Sequence, residues 1–356
     1  MSDAPSIKAR IAIMTVSSLI TAGVCEGVIR LADGNATPMI RLFAADGEHI
    51  RLKKNGMARI ASPSGTPWEI HTNDDGHRTP TQTVSAESWI AVGDSQVMGN
   101  GVNDDAPFPA LLTLDGQGVH NLGVPGYGVG DSLWAATEHL DKHPANGVIV
   151  IINQMNDWDE VAAPVGSRYA ERGGWLVDAD DADTVRGRFL ASPLSRSHLA
   201  FLLGHLALKD WSAPPPPAPQ WLVDPVQMRH STMLIATAVR AFAEAHPNTR
   251  VLPVYLPADV YAAPDRADAS PLSRHLTELD VPPWEDARLR DQVMTALADF
   301  DPVDLSPVLS EASHFLEGDY HLSESGHAAV AEAIAQAVDK ASVDEEPPQP
   351  SGQLTP

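Results

Sequence analysis

The chain has 356 residues, 43% of them hydrophobic, which is enough apolar material for one large domain or two modest ones and excludes a generally disordered protein. Lys and Arg total 24 against 47 Asp and Glu, and a net charge of -23 repels phosphate backbones, which argues against a nucleic-acid partner. The single cysteine, Cys25, excludes an intramolecular disulfide framework and any multi-cysteine metal site.

The first element is apolar. Lys8 and Arg10 precede residues 11–25, which carry no charge until Glu26. This is the layout of a signal peptide or a membrane anchor, although the stretch is shorter than the roughly 20 residues that cross a bilayer. The leading expectation is an uncleaved anchor over residues 1–31, with Glu26 near the far interface and the rest of the chain outside the cytoplasm, periplasmic or at the cell surface. Two alternatives stay open: a cleaved signal, for which Val24 and Cys25 make a poor site, and an N-terminal helix of a cytoplasmic protein.

Residues 32–87 read as a β-rich lead-in, in which short alternating runs such as MIRLF (39–43) and HIRLK (49–53) lie among Gly, Pro and Thr. From Ser88 the texture changes. Residues 89–92, 118–122, 147–153 and 250–256 are short apolar runs rich in β-branched residues, each suited to a buried parallel strand. Helical patterns at 132–143, 226–246, 285–300 and 324–341 separate or follow them. Alternating strands and helices with such connections predict an α/β domain over residues 88–341, a parallel sheet covered on both faces. An insert at 157–224 interrupts it with one or two apolar helices, expected to cap the sheet, and a Pro-rich linker at 213–219. The tail, 342–356, lacks the apolar content to order itself.

Gly-Asp-Ser occurs twice, at Ser95 and at Ser132. Ser95 follows the strand pattern 89–92 through the Gly93-Asp94 turn, at a carboxyl sheet edge where α/β enzymes present reactive groups, with a helix N-terminus offering N–H groups to an anion. Ser132 follows a glycine-rich loop with no strand before it, so Asp131 or Ser132 reads as an N-cap. A base for Ser95 is offered by His321, which has Asp319 two residues ahead on a turn before the final helix; that spacing lets the carboxylate meet the imidazole Nδ1. His327, inside the predicted helix, reads as a packing or capping residue. Donors for a developing oxyanion are available at the next two strand ends, from Asn121, Gly123 and Gly126 and from the amide of Asn156.

The four blocks VGDSQVMGNGV, VHNLGVPGYGVG, IINQMNDW and GDYHLSESGHAAVAEAI, in this order, resemble those of the SGNH hydrolases, the GDSL esterase/lipase family. The resemblance runs from Ser88 to Lys340. It departs from the family pattern at Gln154, where glycine is usual, and in the gap of two rather than three between Asp319 and His321. Residues 68–80 also look like the lead-in of exported, anchored members, with an Asn-x-x-Gly-x-Arg turn. The resemblance implies a flavodoxin-like three-layer α/β/α sandwich, Ser95 as nucleophile, His321 as base and Asp319 as its partner. It implies an oxyanion hole of the Ser95 and Gly126 N–H groups and the Asn156 amide, with Asp94 organising the turn and neither metal nor organic cofactor. The expected partner is a small-molecule or polysaccharide ester, with an O-acetyl ester of an envelope or exported glycan foremost. Acyl transfer to a glycan by the same triad, and a non-catalytic polysaccharide-binding or assembly role on the same fold, are the alternatives.

Overall fold

The structure, a computed structural model, describes residues 6–32, 34–62, 66–79, 84–85, 87–208, 218–276 and 287–344. The chain forms two compact units, one of residues 1–76 with 166–216 and the other of residues 77–165 with 217–356. Most of the expected Pro-rich linker, and residues 345–356 of the expected disordered tail, lie outside the described residues.

In chain order, the first unit opens with α1 (Ile7–Ala32) and two antiparallel hairpins, β1 (Phe43–Asp46) with β2 (His49–Leu52) and β3 (Met57–Ile60) with β4 (Trp68–His71). The second unit then supplies β5 (Ile90–Val92), α2 (Ser95–Met98), β6 (His120–Asn121), α3 (Val129–Leu140) and β7 (Gly147–Asn153). The chain returns to the first unit for the hairpin β8 (Tyr169–Arg172) and β9 (Trp175–Asp178), then α4 (Val185–Ala191) and α5 (His198–Leu208). It ends in the second unit with α6 (Pro225–Ala245), β10 (Arg250–Leu256), α7 (Arg288–Ala296), β11 (Val303–Asp304) and α8 (Glu324–Asp344).

The second unit is built on a five-stranded sheet in the order β11-β10-β7-β5-β6, every pairing parallel. Counted along the chain, this is the flavodoxin-like order 2-1-3-4-5 of a doubly wound α/β fold. Strand alternation explains the layers. On β7, Val148, Val150 and Ile152 join a core with Leu133 of α3, Ile235 and Val239 of α6 and Val293 of α7, whereas Ile149 and Ile151 join a second core with Val330 and Ile334 of α8. Both faces of β7 are buried, so its sequence is an unbroken apolar run, and its ends and those of β10 coincide with the runs 147–153 and 250–256. The expected strand at 118–122 shortens to two residues, and β11, only two residues long, had no apolar run to announce it. The final helix extends to Asp344, past the expected start of the disordered tail.

In the first unit α1 has no buried residue and is long and apolar enough to cross a membrane, by length and composition. The expected insert, 157–224, is divided: Trp158 and Trp221 near its two ends join the core that includes Val148 and Val150 of β7, whereas its middle belongs to the first unit. Residues 166–208 are built with the N-terminal segments: the Phe43 N–H donates to Gly174 O at 3.0 Å, the Gly166 N–H donates to Glu48 O at 3.0 Å, and Glu26 of α1 accepts from the Ser197 hydroxyl and from the His198 and Leu199 N–H groups at the start of α5. A carboxylate there satisfies donors that a helix N-terminus leaves open. The apolar pattern of the insert showed that it needs a partner surface; it carried no sign of which one.

Candidate active site

Ser95 opens α2 at the carboxyl end of β5, beside the gap between β5 and β7 where the strand order reverses, which is where doubly wound sheets hold ligands. Asp94 is the N-cap: one carboxylate oxygen accepts from the Gln96 N–H at 2.9 Å and the other from the Asn153 amide at 2.8 Å. Asp94 therefore braces the turn, as the sequence implied, and ties it to the end of β7. The loop after β6 is packed against the same helix. A Cβ at Gly123 would come within 2.2 Å of Met98 N, so only glycine allows that approach, and Asn121 clamps it by donating to Val97 O at 2.9 Å while accepting from the Gly123 N–H at 3.0 Å.

The structure brings Ser95, His321 and Asp319 together. Asp319 Oδ1 lies 2.7 Å from His321 Nδ1, and His321 Nε2 lies 2.8 Å from the Ser95 hydroxyl. The carboxylate selects the Nδ1–H tautomer, which leaves the Nε2 lone pair facing the serine proton. The shorter Asp-x-His spacing works because Asp319 Oδ1 also accepts the His321 backbone N–H at 3.2 Å, closing a local turn. Burial pushes the Asp319 carboxyl up, but the hydrogen bonds and charge of His321 outweigh it and hold Asp319 below the usual carboxylate range.

Two positioning residues escaped the sequence reading. Gln96, next to the candidate nucleophile, donates to Tyr320 O at 3.2 Å and accepts from the Leu322 N–H at 3.1 Å, so it grips the backbone on both sides of His321. Arg266 forms a buried ion pair with Asp259 at 3.1 Å and donates to the carbonyls of Leu316 and Asp319, holding the turn that carries the acid. A glutamine beside a Gly-Asp-Ser turn was visible in sequence; its partners, more than 200 residues away, were not.

The expected oxyanion donors are less uniformly arranged. Gly126 sits in the turn closed by the Tyr127 N–H on Val124 O, with φ of +86°, a conformation that favours glycine. The Asn156 amide instead donates to Glu160 Oε2 at 2.8 Å, and its buried carbonyl oxygen has no partner among the described residues. Gln154, where the family pattern has glycine, is fully buried and points toward β10: its Oε1 accepts from the Tyr255 hydroxyl at 2.7 Å and the Ala258 N–H at 3.0 Å.

Two competing residues are placed elsewhere. Ser132 is buried within α3, whose N-cap is Gly128, and its hydroxyl donates back to Gly128 O at 2.9 Å; Asp131 accepts from the Gly128 and Val165 N–H groups. The expectation that Asp131 or Ser132 is the N-cap is thus corrected, because the helix starts a turn earlier, at Val129. Ser132→Ala should cost roughly 0.5–1.5 kcal/mol at most, a net hydrogen bond offset by relief of a helix-bending back-bond, and should leave ester turnover within about twofold of wild type. Denaturant unfolding and a turnover assay read both.

His327 is fully enclosed, its Nδ1 accepting from the Phe108 N–H at 3.2 Å, and burial with the charges of Arg78 and His321 brings its pKa down from 6.5 to about 3. It is a packing residue. Its folded pKa lies below its unfolded one, so the unfolded chain binds the extra proton, and stability present above pH 6.5 is lost as pH falls toward 3. The expected loss is about 1.4 kcal/mol per pH unit inside that window. Unfolding midpoints at pH 7, 6 and 5 should fall in the wild type and fall less steeply in His327→Gln.

The 2-1-3-4-5 sheet, with a Gly-Asp-Ser turn at its switch point and a histidine at the last turn, defines the class as a doubly wound, flavodoxin-like α/β fold, the one implied by the resemblance to SGNH hydrolases. No protein-family profile matches the chain, and no curated protein sequence does. Similar solved structures include a carbohydrate esterase family 2 enzyme with a carbohydrate-binding domain from Corynascus thermopiles (Myceliophthora fergusii), 13% identical over 83% of this chain and 76% of that one, TM-score 0.38. A lipolytic protein of the G-D-S-L family from Desulfitobacterium hafniense is 14% identical over 70% and 98%, TM-score 0.32. A catalytic mutant of an acetylxylan esterase from Geobacillus stearothermophilus is 14% identical over 72% and 95%, TM-score 0.33.

Proposed function

We propose that the protein is a serine ester hydrolase. The observation that carries this reading is the continuous line from Asp319 through His321 to the Ser95 hydroxyl, at 2.7 and 2.8 Å. His321 Nε2 takes the hydroxyl proton as Ser95 Oγ bonds to the ester carbonyl carbon. The tetrahedral oxyanion draws on the Ser95 N–H at the start of α2 and the Gly126 N–H, and on the Asn156 amide once it turns from Glu160. The imidazolium, held by Asp319, returns the proton to the departing alcohol as the C–O bond breaks. Water, deprotonated by His321, then attacks the acyl-serine and frees the acid and Ser95.

The apolar α1, long enough to cross a membrane, supports reading this enzyme as membrane-anchored with its second unit outside the cytoplasm, and an O-acetyl ester of a glycan is the first substrate to try. The full chain assayed against p-nitrophenyl esters of increasing acyl length tests the reaction class; a folded wild type that turns over none of them overturns it. Acetate release from an acetylated glycan, with and without an acceptor sugar, separates hydrolysis from acyl transfer.

A further inference from the structure

The first unit carries a large groove with no part in the proposed hydrolysis. It measures about 1050 Å³, at the upper end of the roughly 300–1000 Å³ of small-molecule sites. Its apolar wall includes Ile29 of α1, Trp175 of β9, Phe189 of α4 and Phe201 and Leu202 of α5. Its polar wall includes Arg41, Arg196 and the Asp181–Arg186 ion pair.

Arg41 and Arg196 line the groove without an ion-pair partner of their own among the described residues. In the same unit Arg30, Arg51, Arg59, Arg172 and Arg186 each meet a carboxylate, whereas among the described residues neither Arg41 nor Arg196 does. Arg41 is half-buried, held by its donation to Gly173 O at 2.9 Å and by stacking over the Trp175 ring at 5.4 Å. Burial and then the like charge of Arg196 push its guanidinium pKa down, as expected for two cations lining one cavity whose carboxylate, Asp181, is paired with Arg186. The charge balance of the chain points the same way. This unit holds 14 Lys and Arg and 14 Asp and Glu, so the entire excess of -23 lies in the other unit.

The groove is also continuous with the membrane-competent surface. The side chains of α1 are exposed along its length, and α5, capped by Glu26 of α1, exposes Leu202, Leu203 and Leu206. An occupant therefore needs an apolar tail for the groove and an anionic group for two guanidinium ions, which favour phosphate oxygens. We infer that this groove binds an anionic phospholipid of the membrane in which α1 sits, with an acyl chain along Phe201 and Leu202 and the phosphate between Arg41 and Arg196. This goes beyond the hydrolase reading and needs no catalysis.

The test uses the full chain in neutral detergent with mixed micelles of dioleoyl phosphatidylglycerol or dioleoyl phosphatidylcholine, and native mass spectrometry to count retained lipid. Phosphatidylglycerol should be retained at least about tenfold better, and inorganic phosphate in excess should not displace it. Arg41→Gln with Arg196→Gln should abolish the preference at an unchanged melting temperature; if the pair unfolds, Arg196→Gln alone, at an exposed side chain, should reduce it. Equal retention of the two lipids, wild-type retention by the arginine variants, or displacement by inorganic phosphate would each overturn the inference.

Discussion

Ser95→Ala should hydrolyse p-nitrophenyl acetate on the order of 10^4 to 10^6 times more slowly than wild type while folding normally. The size follows from the role proposed. Removing Oγ deletes the atom that bonds to the acyl carbon, and the oxyanion donors and binding groups left behind supply only residual acceleration over water. The fold should not notice, because the cap of α2 comes from Asp94, whose carboxylate accepts the Gln96 N–H, and the Ser95 hydroxyl meets only His321 among the hydrogen bonds that define the site. Residual turnover above about 10% of wild type in folded Ser95→Ala would remove Ser95 as nucleophile. The comparison with Ser132→Ala sharpens the result, since both serines sit in Gly-Asp-Ser and only one faces a histidine.

Arg78→Met should destabilise the second unit by on the order of 3–5 kcal/mol. Arg78 is 1% exposed and lies under the loop that follows α2. Its guanidinium donates to Met98 O, Gly99 O and Val102 O, each at 2.7 Å, and to Asp104 at 2.9 Å. Methionine fills much of the volume but leaves three carbonyls and a carboxylate without their donor, which is the costly way to break a buried ion pair. Because Met98 closes the helix that begins at Ser95, turnover should fall together with stability. Arg78→Lys should recover only part of the loss, as a single ammonium cannot reach all four acceptors. A denaturation midpoint for Arg78→Met equal to that of wild type would show that the network carries little energy.

Arg78 illustrates how far the sequence could be read. It stood in an Asn-x-x-Gly-x-Arg turn that looked like the lead-in of anchored relatives, yet nothing local revealed that its partners are the carbonyls after Ser95. Gln96 and Arg266 are similar cases, with partners such as Tyr320 O and Asp319 O far along the chain. The Asp319–His321 pair was legible because both residues lie on one turn, and the buried strands β7 and β10 were legible because strands covered on both faces must be apolar throughout.

Local chemistry was enough to determine the α/β class, the strand ends at 147–153 and 250–256, the apolar N-terminal helix and that Ser95, unlike Ser132, follows a strand. These depend on period, turn residues and burial, which neighbours in sequence already specify. The tertiary structure alone decided that the middle of the insert joins the N-terminal unit while its ends stay with the second, that α3 begins at Val129, that the Asn156 amide turns to Glu160 and that Gln154 is pinned by Tyr255. Each of those outcomes is a competition among distant polar groups for a few buried partners. An isolated run of residues shows that a donor must be satisfied, while only the assembled chain shows by whom.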